Sequence, residues 1–126
     1  MSRTLFENVD VDVRSATDLG QLHAAIVRKT HVLHVGRIGR THHLRFALRS
    51  SSKSPAEAIR RLARIIDSLP SVAMREWRNA KTREFDIGFS AGDDAEAAWI
   101  VPENIIAAAA TLNAQVRITI YPAALT

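Results

Sequence analysis

The sequence predicts an α/β (α+β) fold, a two-layer sandwich with about three helices on one face of a mostly antiparallel or mixed sheet. Three observations carry this. Segments with an apolar residue at every second position recur along the chain. Segments of helical period separate them. The strands keep one polar face, so the helices should cover one side of the sheet and leave the other polar and at least partly open.

Each element has its own signal. Val9, Val11 and Val13 alternate with Asp10, Asp12 and Arg14, the pattern of a half-buried strand. Ser15 and Thr17 are placed to cap a helix over about 17–29, with Leu19, Leu22, His23 and Ile26 on one face and His23 as a core residue with one hydrogen bond. Residues 32–35 and 42–49 read as strands around Gly36-Arg37-Ile38-Gly39, a hairpin. In the second strand Leu44, Phe46 and Leu48 share a face.

Ser54-Pro55-Ala56-Glu57 is a strong helix start: a capping hydroxyl, Pro at the first position and Glu three residues after the cap. That helix should run to Leu69, where Pro70 ends it. Residues 72–80 fit a strand or a short helix. Residues 84–90 form a strand with Phe85, Ile87 and Phe89 inward. A turn at 91–94 leads to a short strand over 97–101. Pro102-Glu103 opens a helix to about Asn113. Residues 114–121 close the chain as a strand, with Val116, Ile118 and Ile120 inward.

The 126 residues suit one domain, with 47% apolar and 24% charged side chains. There is no Cys, which excludes a disulfide framework, a thiolate nucleophile and a Cys-based metal site and fits a reducing compartment. No run approaches the ~18 apolar residues of a membrane span. The N-terminus carries Glu7, Asp10 and Asp12 and has no apolar signal core. The expectation is a complete cytoplasmic protein.

Charge is divided into blocks. Residues 1–27 carry a net −2, residues 28–83 a net +11 and residues 84–126 a net −5. Two readings follow. The basic middle meets an anionic partner, nucleic acid or an acidic protein face, or the acidic ends fold against it and neutralise it.

The candidate chemistry is sparse. If Ile38-Gly39 is the hairpin turn, Arg37 pairs with Arg40 and His34 falls opposite His43, beside Arg45. Two imidazoles and a guanidinium are the parts of metal-independent phosphodiester cleavage, but no carboxylate close in sequence completes a metal site and no nucleophile-elbow pattern supports a Ser-His-Asp triad. An exposed basic strand explains the same residues. Gly36-Arg37-Ile38-Gly39 matches the Gly-x-x-Gly of a phosphate-clamping loop, yet that loop joins helices and this one joins strands. No Walker or dinucleotide motif occurs, and no cofactor is expected.

The helix over 55–69 turns Arg60, Arg61 and Arg64 outward. Glu57 is spaced to pair with Arg61 and Asp67 with Arg64. With Arg45, Arg49 and Lys53 these arginines form the main candidate basic patch, although the aromatic residues of a nucleic-acid platform are nearly absent from it. Trp99 is either core or, in the other register, exposed on the open face with Tyr121, where Trp and Tyr beside Arg anchor protein interfaces. The last helix turns Ala107, Ala108 and Thr111 outward, a bare surface fit for another element or a second copy.

The stretch 45–121, about 60% of the chain, resembles small bacterial α/β proteins, some of which serve as immunity proteins in contact-dependent growth inhibition and related polymorphic toxin systems. The residues that carry the resemblance are the strand 44–49 with the helix capped by Ser54, Phe85-Asp86-Ile87-Gly88-Phe89, Trp99-Ile100-Val101-Pro102-Glu103 and Ile118-Thr119-Ile120-Tyr121. It implies a non-enzymatic protein that occludes a cognate toxin. Arg45, Arg49, Arg60, Arg64 and Trp99 are the candidate contacts. The net positive charge departs from the acidic character of inhibitors of basic nucleases, unless the contact uses Asp86, Asp93, Asp94 and Glu96. A nucleic-acid-binding module is the alternative and a His-dependent nuclease the third reading.

Overall fold

The computed structural model describes residues 2–123. Its element order is β1 (Leu5–Ser15), α1 (Gly20–Ile26), β2 (His31–Ile38), β3 (Thr41–Ala47), α2 (Pro55–Asp67), α3 (Ser71–Asn79), β4 (Thr82–Ser90), α4 (Glu103–Thr111) and β5 (Gln115–Tyr121). The five strands form one sheet in the order β2-β3-β1-β4-β5. The first four pair antiparallel, and β5 lies parallel to β4. The sheet is mixed and the helices lie on one side of it, as the alternation predicts.

Strands β1 to β4 with their helices form two interleaved split βαβ units, in which β3 lies between β1 and β2, and β1 between β3 and β4. The sequence pattern dictates the layers. Val9, Val11 and Val13 of β1, Leu44 and Phe46 of β3, and Phe85, Ile87 and Phe89 of β4 are buried under the helices. Leu22 and Ile26 of α1 join them, with Ile59, Leu62 and Ile66 of α2 and Trp77 of α3.

The α2 start behaves as its sequence requires: the Ser54 Oγ accepts the Glu57 amide at 3.1 Å. In contrast, α1 is not capped by Ser15 or Thr17. Glu76 of α3 accepts the Leu22 amide at 2.7 Å, so a carboxylate 54 residues away satisfies one of the helix's orphan N–H groups. His23 is half-buried rather than core and has no side-chain hydrogen bond among the described residues.

Of the two readings open for residues 72–80, the helix is the one that forms, over Ser71–Asn79, with Trp77 in the core donating Nε1–H to the Leu112 carbonyl at 3.0 Å. Other expectations need correction. Residues 97–101 are not a strand. The free edge of β4 is taken by β5 in parallel, a pairing that needs a crossover of a dozen or more residues, and residues 91–114 are that crossover. The hairpin turns at Gly39-Arg40, with Ile38 opposite Thr41 and Arg37 opposite His42. Gly39 holds φ 63 at the first central position, a left-handed backbone that favours glycine there. That turn, one residue later than expected, sets His34 opposite Arg45, not His43; a bulge between Val32 and His34 then shifts the pairing of Val32 and His31 only. Val116, Ile118 and Ile120 do point to the helix side, in register with Phe85, Ile87 and Phe89, but they stay exposed.

Candidate partner-binding surface

The open face of the sheet is built by residues that alternate with the core. Asp10, Asp12 and Arg14 come from β1, His43 and Arg45 from β3, Glu84 and Asp86 from β4, and Arg117 and Thr119 from β5. Arg45 stands among three carboxylates. Its Nη1 donates to Asp12 at 2.7 Å, its Nε to Asp10 at 3.1 Å and its Nη2 to Asp86 at 2.8 Å. Burial works against its charge, but the bonds it donates to Asp86 and Asp12 prevail and hold the guanidinium protonated beyond the ordinary arginine range.

The network continues outward. Thr119 donates to Asp86 at 2.7 Å, and Glu84 accepts from Arg117 and Gln115, each at 2.9 Å. His43 shares a 2.9 Å hydrogen bond between Nε2 and Asp12. The two carboxylates of β1 differ. Burial raises the Asp10 carboxyl, and Arg45 offsets this only in part because Asp86 and Asp12 crowd it. Burial also pushes Asp12 up, but the hydrogen bonds from His43 and Arg45 outweigh it and leave that carboxyl below the ordinary range.

The basic middle of the chain is therefore met by both acidic ends: Asp10 and Asp12 from the first block and Asp86 from the last close on Arg45 from the second. Arg49 is also engaged within the fold, donating to the carbonyls of Thr30 and Val27 where α1 ends. Arg60 and Arg64 are exposed on α2 and pair with no carboxylate among the described residues. The expected Glu57–Arg61 and Asp67–Arg64 pairs do not form. Arg61 instead ties down the preceding loop through the Ser51 carbonyl at 3.0 Å and the Ser52 hydroxyl at 2.8 Å.

The histidines do meet: the His34 and His43 rings lie 4.8 Å apart, and Asp12 supplies the carboxylate that sequence proximity did not offer. The geometry ties up His43 in particular. Proton transfer requires a nitrogen within hydrogen-bond reach of substrate. His43 spends Nε2 on Asp12, and its Nδ1 is buried with no partner. The three aspartates converge on a guanidinium rather than on an open coordination position.

Trp99 lies on the helix side, opposite the polar face. Its ring packs on Phe89 with centroids 4.3 Å apart and is 37% exposed. Together with Pro55, Ile87, Ile118 and Ile120 they line an apolar groove of about 340 Å³. Tyr121 instead reaches the open face beside Gly88.

The loop 91–101 that carries Trp99 is anchored to the N-terminal strand. Asp94 accepts from the Thr4 hydroxyl at 2.6 Å and from its amide at 3.2 Å, and the Thr4 hydroxyl in turn accepts the Gly92 amide at 3.0 Å. The Thr4 hydroxyl bond holds the Asp94 carboxyl below its ordinary range. Near the loop's end Ile100 is 85% exposed, with Asp93 and Glu96 exposed in the same loop and Glu103 just beyond it. Of the acids the sequence offered to a basic partner, Asp93 and Glu96 are exposed on this loop, Asp94 is taken up by Thr4, and Asp86 is buried against Arg45 on the opposite face. The coupling of Asp93 and Glu96 to Trp99 needed the loop.

No match to this chain emerges among known protein families, curated proteins or solved structures. Its function therefore rests on the site. Among the described residues, no helix is long and apolar enough to cross a membrane, and no group of three His, Asp or Glu side chains is arranged to hold a metal ion.

Proposed function

We propose that this chain is a non-enzymatic binding protein, an immunity protein that seats a cognate bacterial toxin on the loop 91–101. One observation carries the reading: this anchored loop exposes Ile100 and part of Trp99 and carries exposed acids, Asp93 and Glu96, with Glu103 next after it. Exposed aromatic and aliphatic side chains are the residue types that anchor binding hot spots, and the negative sign of the loop's charges favours a basic partner. The acidic loop also accounts for how a chain of net charge +4 would engage a basic toxin.

Of the arginines first considered as contacts, Arg60 and Arg64 remain available on α2. Arg45 and Arg49 act within the fold. Neutralisation of Arg45 by three carboxylates also takes weight from the nucleic-acid reading, since phosphate binding draws on free cations.

The test is rescue. A basic toxin domain encoded beside this gene is expressed with the wild-type chain or with Trp99→Ala and Ile100→Asp variants. Protection by the wild type, lost in a folded double variant, supports the reading. Protection that survives the double variant moves the contact elsewhere, and a toxin that neither binds nor is neutralised overturns the reading.

A further inference from the structure

The two edges of the sheet differ. The β2 edge is interrupted by the bulge at Val32/His34, the sort of device that blunts an edge against pairing. The β5 edge has no bulge, and its one charge, Arg117, is paired with Glu84 of the same sheet. Gln115–Tyr121 pairs with β4 residue for residue, without a bulge, and contains neither Lys nor Pro. Its helix-side residues are left in water: Val116 is 43%, Ile118 63% and Ile120 63% exposed.

The free hydrogen-bonding groups can be assigned. The Tyr121 carbonyl accepts the Ala91 amide at 2.8 Å, so Tyr121 turns its backbone groups toward β4. Backbone groups alternate sides along a strand. Val116, Ile118 and Ile120 therefore direct their N–H and C=O groups to the outer edge, where no backbone partner exists among the described residues.

We infer that a second copy of this chain covers that edge, by antiparallel pairing of β5 with β5 about a two-fold axis at Ile118. The sequence is self-complementary in this register. Ile118 lies opposite Ile118 of the second copy, and Val116 opposite Ile120, so every outward-directed backbone meets another and roughly six ladder bonds form. The apolar side chains gather on the helix side. On the open face Gln115 meets Tyr121 and Arg117 meets Thr119, so no like charges stand directly opposite, and Glu84 already balances Arg117 at 2.9 Å. The result is a continuous sheet through both copies. The two 91–101 loops, each beginning next to Tyr121, start at opposite ends of the paired strands.

The test uses the chain alone, so its outcome is independent of any toxin. Sedimentation velocity from micromolar to millimolar concentration should reach a species of twice 13.9 kDa. Ile118→Lys, at an exposed site, places two ammonium groups opposite each other and should weaken association at least about tenfold while the far-UV spectrum is unchanged. The chain has no Cys, so an Ile118→Cys variant reads the register directly. Opposed Cα atoms of a hydrogen-bonded antiparallel pair lie about 5.5 Å apart, within disulfide reach. Mild oxidation should crosslink Ile118→Cys and leave Val35→Cys, on the other edge, without a crosslink. A monomer throughout the range overturns the inference. So does a dimer that crosslinks at Val35 and not at Ile118.

Discussion

Arg45 of β3 reaches Asp86 of β4 across the whole width of β1, placing Nη2 at 2.8 Å from Oδ2. On the way it contacts Asp10 and Asp12, so one guanidinium ties together three strands. Removing it leaves three half-buried or buried carboxylates facing one another. Arg45→Ala should destabilise the fold by about 2–4 kcal/mol, most at neutral pH and less below about pH 4, where the carboxylates take up protons. Urea unfolding at both pH values checks this; an equal loss at the two would remove electrostatics as the cause.

Asp10 and Asp12 should respond to acid with opposite signs. Asp12 sits below its ordinary value, so the stability it contributes is complete above the unfolded value of about 4 and fades as pH falls through the lower native value. Asp10 sits above its ordinary value, so its ionisation costs stability at neutral pH, and the cost disappears as pH falls through that raised value toward 4. Asp12→Asn should therefore destabilise at pH 7 and flatten the acid limb. Asp10→Asn should be near neutral or stabilising at pH 7. Thermal melts of both variants across pH 3–7 separate them, and parallel curves would count against the assignment.

What was legible in the sequence was local. Val9, Val11 and Val13 declared a strand by their period, and Ser54-Pro55-Ala56-Glu57 declared a helix by its capping chemistry, since both signals lie within a few residues. Residues 97–101 misled because a short apolar run reads as a strand wherever a sheet slot exists, and the slot beside β4 went to β5. The Arg45 cluster joins residues 33 to 41 positions apart, which only strand order brings together. Its trace in the sequence was the alternation of charge blocks, which left internal neutralisation and an external partner as open readings.

Gly92 should be intolerant of any side chain. A Cβ there would run into the backbone of Arg3 and Thr4, which the loop crosses at close quarters. Gly92→Ala must push the loop off the N-terminal strand and break the bond from the Gly92 amide to the Thr4 hydroxyl. A loss of about 1–3 kcal/mol is expected, with faster amide exchange over residues 91–101 than over β4. An unchanged exchange rate in the loop would mean that it is not held there by this contact.

The two tryptophans offer separate reporters. Trp77 is buried with its indole bonded to Leu112, whereas Trp99 lies on Phe89 at the mouth of the groove. Acrylamide should quench the emission of Trp99 and spare that of Trp77, so Trp99→Phe should leave a blue-shifted, poorly quenched spectrum. If the loop receives a protein partner, complex formation should protect Trp99 from quenching. Trp99→Ala should then cost about 2 kcal/mol or more of binding, roughly thirtyfold in Kd. Because Trp99 is only partly buried, its truncation should lower folding stability much less than truncation of Trp77, which empties a fully packed site. Equal losses of stability in the two variants would make Trp99 a core residue and remove it from the binding surface.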